Sequence, residues 1–415
     1  VTVWDTLTGQ DAVVATLASA AAAAALASGP DGALAAARAG MTHSWLFTGP
    51  AGAGRADAAR AFAAALSCVH ADPGAAPGCG ECVGCHTVLT DTAADLRTVR
   101  AEGLSLGVGD VRALVRDAAT APTSGRYRIL LVDEADRLTD SAANALLKAL
   151  EEPAPRSVFL LCAPSVDDVM PTIRSRCRLV ALRLPTVPDL VQALLRDGVD
   201  AASAEVAARA AQGHVGRARL LAGDERAREH RAQVLALPGR LGRVADCLAA
   251  AGDLVAAANA DAQAANTERD EAEAEALRAA LGMGATSSGG RARRATKTTA
   301  KAKTMVVRGA AGALKDLEKS QKSRGRRTVL DSLDRALLDL AGLYRDVLAR
   351  QLGATVDPVN PDATREIARL AGGSTPEGTL RRLEAVLATR DALAANPGLV
   401  PQLTVESLAL TLRDA

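Results

Sequence analysis

The chain has 415 residues, of which 48% are hydrophobic but only 2% aromatic, enough for two or three domains whose helices pack through small side chains. No run approaches the roughly 20 strongly apolar residues of a membrane-spanning helix, and the alanine-rich run 18–27 is too weakly apolar for a signal segment and has no basic residues before it, so the expectation is a cytoplasmic protein. The net charge of +1 hides an uneven distribution: of seven lysines, six fall between Lys297 and Lys322, and elsewhere arginine carries nearly all the positive charge.

From the N-terminus, helical and strand patterns alternate over about 180 residues, which predicts an α/β layer around a parallel sheet. The apolar stretch 44–48 reads as a strand that feeds a glycine loop, Gly49-Pro50-Ala51-Gly52-Ala53-Gly54-Arg55-Ala56, followed by a helix over 56–66. The loop has the frame of a phosphate-cradling G-x-x-x-x-G-K-[ST] turn, in which backbone N–H groups wrap phosphates, Lys reaches the outer ones and the hydroxyl holds Mg²⁺. Here Arg55 replaces the Lys and Ala56 the hydroxyl. Arginine cannot take the place of a compact ammonium without rearrangement, and the metal loses a protein ligand. The loop is therefore read as a structural turn that does not hydrolyse ATP, with nucleotide occupancy without turnover as the second reading.

Next come four cysteines, Cys68, Cys79, Cys82 and Cys85, with glycines at 78, 80 and 84. Two overlapping C-x-x-C spacings and a fourth thiol can close a tetrahedral Cys₄ zinc site with no position left for water, so its role is structural. An iron–sulfur run competes, but its fourth cysteine would fall near Leu89. Disulfides do not suit a cytosolic chain, and Cys162, Cys177 and Cys247 read as buried free thiols.

The run 128–132 predicts a buried strand ending at Asp133 and Glu134, where an α/β sheet presents its ligand-binding groups. With the phosphate loop degraded, these two are expected to cap and ion-pair rather than hold Mg²⁺. A helix is expected over 140–152, capped by Thr139 or Asp140 and stopped by Pro153, then a strand over 157–162. From about Leu184 the pattern is helical to the end, interrupted between about 253 and 327. There an acidic stretch, 268–275, leads through the glycine-rich 282–290 into a basic segment between Arg291 and Arg327. Few large apolar residues lie in it, so it reads as an insertion or long linker with little packed structure. Its charges could neutralise DNA phosphates non-specifically, but a solvated charge run is the commoner case. An amphipathic helix resumes over 331–351 through Leu333, Leu337, Leu340, Tyr344 and Leu348.

With these pieces in view, the chain resembles the AAA+ clamp-loader family, in its delta-prime branch of bacterial DNA polymerase III. The carrying residues are Trp4-Asp5-x-Leu7-x-Gly9-Gln10, the run from His43 through Pro50, the four-cysteine insertion, 129–139, 144–153 and Pro171-Thr172-Ile173-Arg174-Ser175-Arg176-Cys177. A weaker match continues through Gly213-His214-x-Gly216-Arg217-Ala218. The resemblance implies an α/β AAA+ module over 1–183 with the zinc knuckle at 68–85. It also implies a helical lid over 184–240 and a helical collar over 241–415, interrupted at about 258–327 by the charged insertion. It implies Arg176 as an arginine finger acting on a neighbour's ATP, with Arg174 a poorer candidate, and Arg217 at the sensor-2 position. Gly49, Gly52, Gly54, Arg55, Asp133 and Glu134 would form a degenerate nucleotide site, and Pro164 falls where active relatives carry a polar sensor. The implied partners are delta and gamma/tau subunits and, indirectly, the sliding clamp and primed DNA. Two rivals remain: an active gamma/tau-type ATPase subunit, and a zinc-stabilised DNA-binding adaptor.

Overall fold

A computed structural model of the chain describes residues 2–26, 40–70, 77–101, 105–281, 297–396 and 398–414. They form two compact units. The first comprises the described residues of 2–101, 105–228 and 358–362; the second comprises those of 229–357 and 363–414.

The first unit is built on a parallel five-stranded sheet. Its elements run α1 (Asp11–Leu26), β1 (Ser44–Thr48), α2 (Arg55–Leu66), α3 (Val83–Leu89), β2 (Leu96–Arg100), α4 (Val108–Ala118) and β3 (Arg128–Asp133). They continue through α5 (Asp140–Glu151), β4 (Ser157–Ala163), α6 (Pro171–Arg174) and β5 (Arg178–Ala181). The strand order is β2-β3-β4-β1-β5, and all four pairings are parallel. The central strands are apolar on both faces because helices cover both. Trp45, Phe47, Ile129, Leu131 and Leu160 pack with α1 and α2, while Leu46, Leu130, Val132, Phe159 and Leu161 pack with α4 and α5. On the first side Trp45 meets Phe62 edge-on at 4.8 Å and Arg178 lies over the indole at 4.9 Å. Thr139 rather than Asp140 caps α5, its hydroxyl accepting from the Ala142 N–H at 3.3 Å.

Two strands, β2 and β5, were not expected from the sequence. Both are sheet edges, where one flank lacks a partner, and their half-exposed residues break the apolar run by which a central strand is recognised. Helices α7 (Val187–Arg196), α8 (Ala201–Ala210) and α9 (Val215–Gly223) then gather a separate small core of Leu190, Leu194, Ala204, Ala208, Ala218 and Leu221. Helix α10 (Glu225–Ala236) follows, and the main stretch of the first unit ends at Arg228.

The second unit is all helical: α11 (Val244–Ala280), α12 (Lys297–Gln351), α13 (Thr364–Gly373), α14 (Pro376–Ala395) and α15 (Pro401–Asp414). Its core joins Leu254, Val255, Leu333, Leu337, Leu340, Tyr344, Val386 and Leu408. Here the reading of a loosely structured insertion is corrected for 258–280 and 297–327, whereas 282–296 lie outside the described residues. Residues 258–280 continue α11, and 297–327 are the first half of one 55-residue helix. What the sequence lacks in large apolar residues is made up by polar contacts between the two helices. Asn266 Nδ2 donates to Thr328 Oγ1 at 3.1 Å, Gln321 Nε2 to the Asp270 carbonyl at 2.9 Å and Ser332 Oγ to Asp261 at 2.8 Å. The buried Arg324 grips Glu273 with both terminal nitrogens and lies 3.4 Å from Asp270. The glycine-rich stretch 282–290 lies outside the described residues.

Candidate functional site

The glycine loop joins β1 to α2 at the sheet's C-terminal edge. Gly52 and Gly54 hold φ of +89° and +83°, in the left-handed region where a side chain is strained. Both polar ends of the loop are already engaged. The Gly49 N–H donates to the Pro164 carbonyl at 3.2 Å, and the Arg55 guanidinium folds back to donate to the Gly49 carbonyl. Pro164, at the sensor position, thus serves the loop through its backbone. Gln10 ties the loop to the end of the sheet, donating to the carbonyls of Ala53 at 3.4 Å and Arg183 at 2.6 Å.

His214 closes over the loop. A Cβ on Gly52 would come within 2.7 Å of the His214 Cβ and Cγ, so only glycine lets loop and lid approach this closely. His214 is held there as the N-cap of α9, its Nδ1 accepting from the Arg217 N–H at 3.2 Å. Arg217 itself is 7% exposed. Sequence reading gave His214 no role at the loop, because nothing local signals that a lid residue will lie against a glycine some 160 positions earlier.

Asp133 ends β3, but its carboxylate is committed to Arg100 of β2, whose Nε donates at 2.8 Å. Register explains the partner: Arg100 is paired with Asp133 in adjacent parallel strands. Only that register, invisible in sequence, could have identified Arg100. Glu134 adopts φ +66° and lies 3.6 Å from Arg137. Between them and α5, burial pushes the Asp136 carboxyl up from its ordinary value.

Arg176 follows the helical turn α6. Arg174 pairs with Asp167 at 3.0 Å. Arg176 donates to the Thr172 carbonyl at 2.7 Å and pairs with Glu151 at the end of α5, with its side chain 35% exposed. Beside it, burial pushes the Cys177 thiol up to about 12.

The four cysteines converge. All four sulfurs lie within 4.8 Å of one another, with Cys68 Sγ at 3.8 Å from both Cys79 Sγ and Cys82 Sγ. Zinc–sulfur bonds of about 2.3 Å in a tetrahedron put thiolates roughly 3.8 Å apart, so the donor set fits Zn²⁺. The N–H of Cys82 donates to Cys79 Sγ and that of Cys85 to Cys82 Sγ, each at 3.4 Å. Burial raises the Cys82 thiol, but backbone N–H donors from Cys85 and Val69 outweigh it and bring the group to about 6. Burial dominates at Cys85 and pushes that thiol well up. At Gly84 a Cβ would fall 1.9 Å from the Ser67 carbonyl oxygen, so glycine alone allows α3 to close on the end of α2. Cys162 and Cys247 are buried and stand apart from this cluster.

A parallel sheet of this order, with a glycine loop after β1 and an acidic pair closing β3, defines a P-loop α/β module of the AAA+ class. The family described as DNA polymerase III, delta subunit matches residues 33–186, and the family of the same subunit's C terminus matches 329–414. These matches place residues 33–186 and 329–414 with the DNA polymerase III delta-subunit families, one for each region. Residues of this chain are 37% identical over 150 positions to DNA polymerase III subunit delta' of Pseudomonas aeruginosa, covering 36% of this chain and 45% of that protein. They are 38% identical over 156 positions to subunit gamma/tau of Mycobacterium tuberculosis, covering 37% and 26% respectively. The chain thus spans less than half the length of these relatives. A solved DNA polymerase III gamma subunit-related protein of Thermotoga maritima overlaps 90% of this chain and 95% of its own at 15% identity, with a TM-score of 0.35.

Proposed function

We propose that this chain is a clamp-loader subunit of DNA polymerase III that does not hydrolyse ATP and lends Arg176 to a neighbouring subunit's nucleotide. The observation that carries the first part is the state of the glycine loop. Its lysine and hydroxyl positions are Arg55 and Ala56, its first N–H and carbonyl are taken by Pro164 and Arg55, and its crown meets His214. Phosphoryl transfer depends on positioning phosphates and metal before any charge can be stabilised, and this loop offers neither. The Asp133 carboxylate, tied to Arg100, does not substitute for them.

In this role the α/β module is a comparatively rigid partner. It works in the cytoplasm beside delta and gamma/tau subunits, and acts on the sliding clamp and primed DNA through the assembly. Zn²⁺ held by Cys68, Cys79, Cys82 and Cys85 would fix α3 against the end of α2 and supply no chemistry. Kinship to gamma/tau at 38% identity supports a second reading, an active motor subunit. The two separate on one assay. Purified chain with Mg²⁺ and ATP is expected to release no phosphate above background, and turnover abolished by Glu134→Gln would establish the motor reading instead.

A further inference from the structure

The basic segment that the clamp-loader reading leaves unused has a definite geometry. Along α12, at about 100° per residue, Lys315, Lys319, Lys322 and Arg326 fall within a strip about 60° wide. All four are exposed. The two acidic residues of the stretch, Asp316 and Glu318, lie off the strip, one to each side. The contacts with α11 are made from another face, through Gln321, Arg324 and Thr328. Of the two arginines off the strip, Arg324 is spent on Glu273 and Arg327 lies 3.9 Å from Asp331. Arg326 also donates to the Leu399 carbonyl at 3.0 Å, which fixes the strip's inner end. Among the described residues Lys315, Lys319 and Lys322 enter no ion pair.

We infer that this strip binds the phosphate backbone of double-stranded DNA, without reading sequence. From Lys315 to Arg326 it runs roughly 17 Å at 1.5 Å per residue, a line of four basic positions in one angular register. A duplex presents a charge about every 1.7 Å of its axis and gains affinity by releasing counterions to such a line. No aromatic residue lies in the segment, so base stacking has no platform. The choice of DNA over another polyanion rests on the replication-subunit reading above. The strip is distinct from the nucleotide loop and from Arg176, and it belongs to the helical second unit.

The test is fluorescence anisotropy of the full chain with a random duplex of about 30 base pairs, titrated between about 50 and 200 mM salt. The triple variant Lys315→Gln/Lys319→Gln/Lys322→Gln keeps good helix formers and should bind more weakly. Its slope of log K against log salt should be shallower by about 2.7, at roughly 0.9 for each phosphate no longer neutralised. The charge-preserving variant Lys315→Arg/Lys319→Arg/Lys322→Arg should retain both affinity and slope, which separates lost charge from a disturbed helix. An unchanged slope in the glutamine variant, or no salt-dependent binding by the wild-type chain, overturns the inference. Binding to phosphatidylserine vesicles with none to duplex overturns it too, in favour of a membrane surface. The assay uses neither ATP nor a partner subunit, so ATP turnover by the isolated chain would refute the non-hydrolysing reading while leaving this result standing.

Discussion

Replacing Arg176 by alanine separates the finger role from a local structural one, because the two differ in size by orders of magnitude. In the isolated chain Arg176 is held by Glu151 and the Thr172 carbonyl, with the two charged side chains 35% and 48% exposed. An ion pair this wet is worth about 0–1 kcal/mol, so Arg176→Ala should leave chemical denaturation within about 1 kcal/mol of wild type. An arginine finger contributes roughly 10³–10⁵ in rate, or about 4–7 kcal/mol at 1.4 kcal/mol per tenfold. In the proposed role the guanidinium would exchange Glu151 for a phosphate at little cost, and the loss on removal should fall on catalysis. In a reconstituted complex shown by gel filtration to contain the variant, DNA-stimulated ATP turnover should drop by at least the share of the one site Arg176 serves. Arg176→Lys should not rescue it, since an ammonium cannot reproduce the planar fork. Glu151→Gln, which frees the finger, should leave turnover unchanged or slightly raised. Full turnover in an intact Arg176→Ala complex would refute the reasoning, and so would a stability loss of several kcal/mol, which would mark Arg176 as a structural residue.

Two further outcomes follow from the geometry. Gly84→Ala drives a Cβ into the Ser67 backbone, 1.9 Å from its oxygen. The collision should cost about 3 kcal/mol, and zinc measured by plasma emission should fall well below one per chain. For the α11–α12 pair, the Arg324 hydrogen bonds hold the Glu273 carboxyl at about 2, against 4.5 for an ordinary glutamate. A depressed carboxylate stabilises above its unfolded value and loses that contribution as the pH falls through the folded one. Arg324→Ala should thus cost about 2 kcal/mol in urea melts near pH 7, and much of that difference should vanish between about pH 4.5 and pH 2. A difference that stays constant across that window would show that Arg324 acts through packing alone.

Both motifs with fixed local spacing could be read from the sequence. A glycine loop is a backbone conformation imposed over eight consecutive residues, and the absence of lysine and hydroxyl is visible position by position. Cys79, Cys82 and Cys85 share a C-x-x-C period that folds into one knuckle, and Cys68 ends the helix before it. The continuous apolar runs of β1, β3 and β4 announce strands buried on both faces. The edge strands β2 and β5 carry no such run and emerge only once the sheet is assembled. Residues 258–280 and 312–327 read as unstructured because local sequence reports apolar content, whereas Arg324, Gln321 and Asn266 find polar partners on the facing helix.

The sequence by itself determined which atoms are missing from the phosphate loop and which thiols can share a metal, since covalent neighbours set both. Only the tertiary structure decided that Arg100 claims Asp133, that His214 lies against Gly52 and that α12 turns Lys315, Lys319 and Lys322 to one side of its contacts with α11. Those outcomes depend on strand register and helix packing between residues far apart in the chain. Such contacts are chosen by the folded core as a whole and leave no local pattern to read.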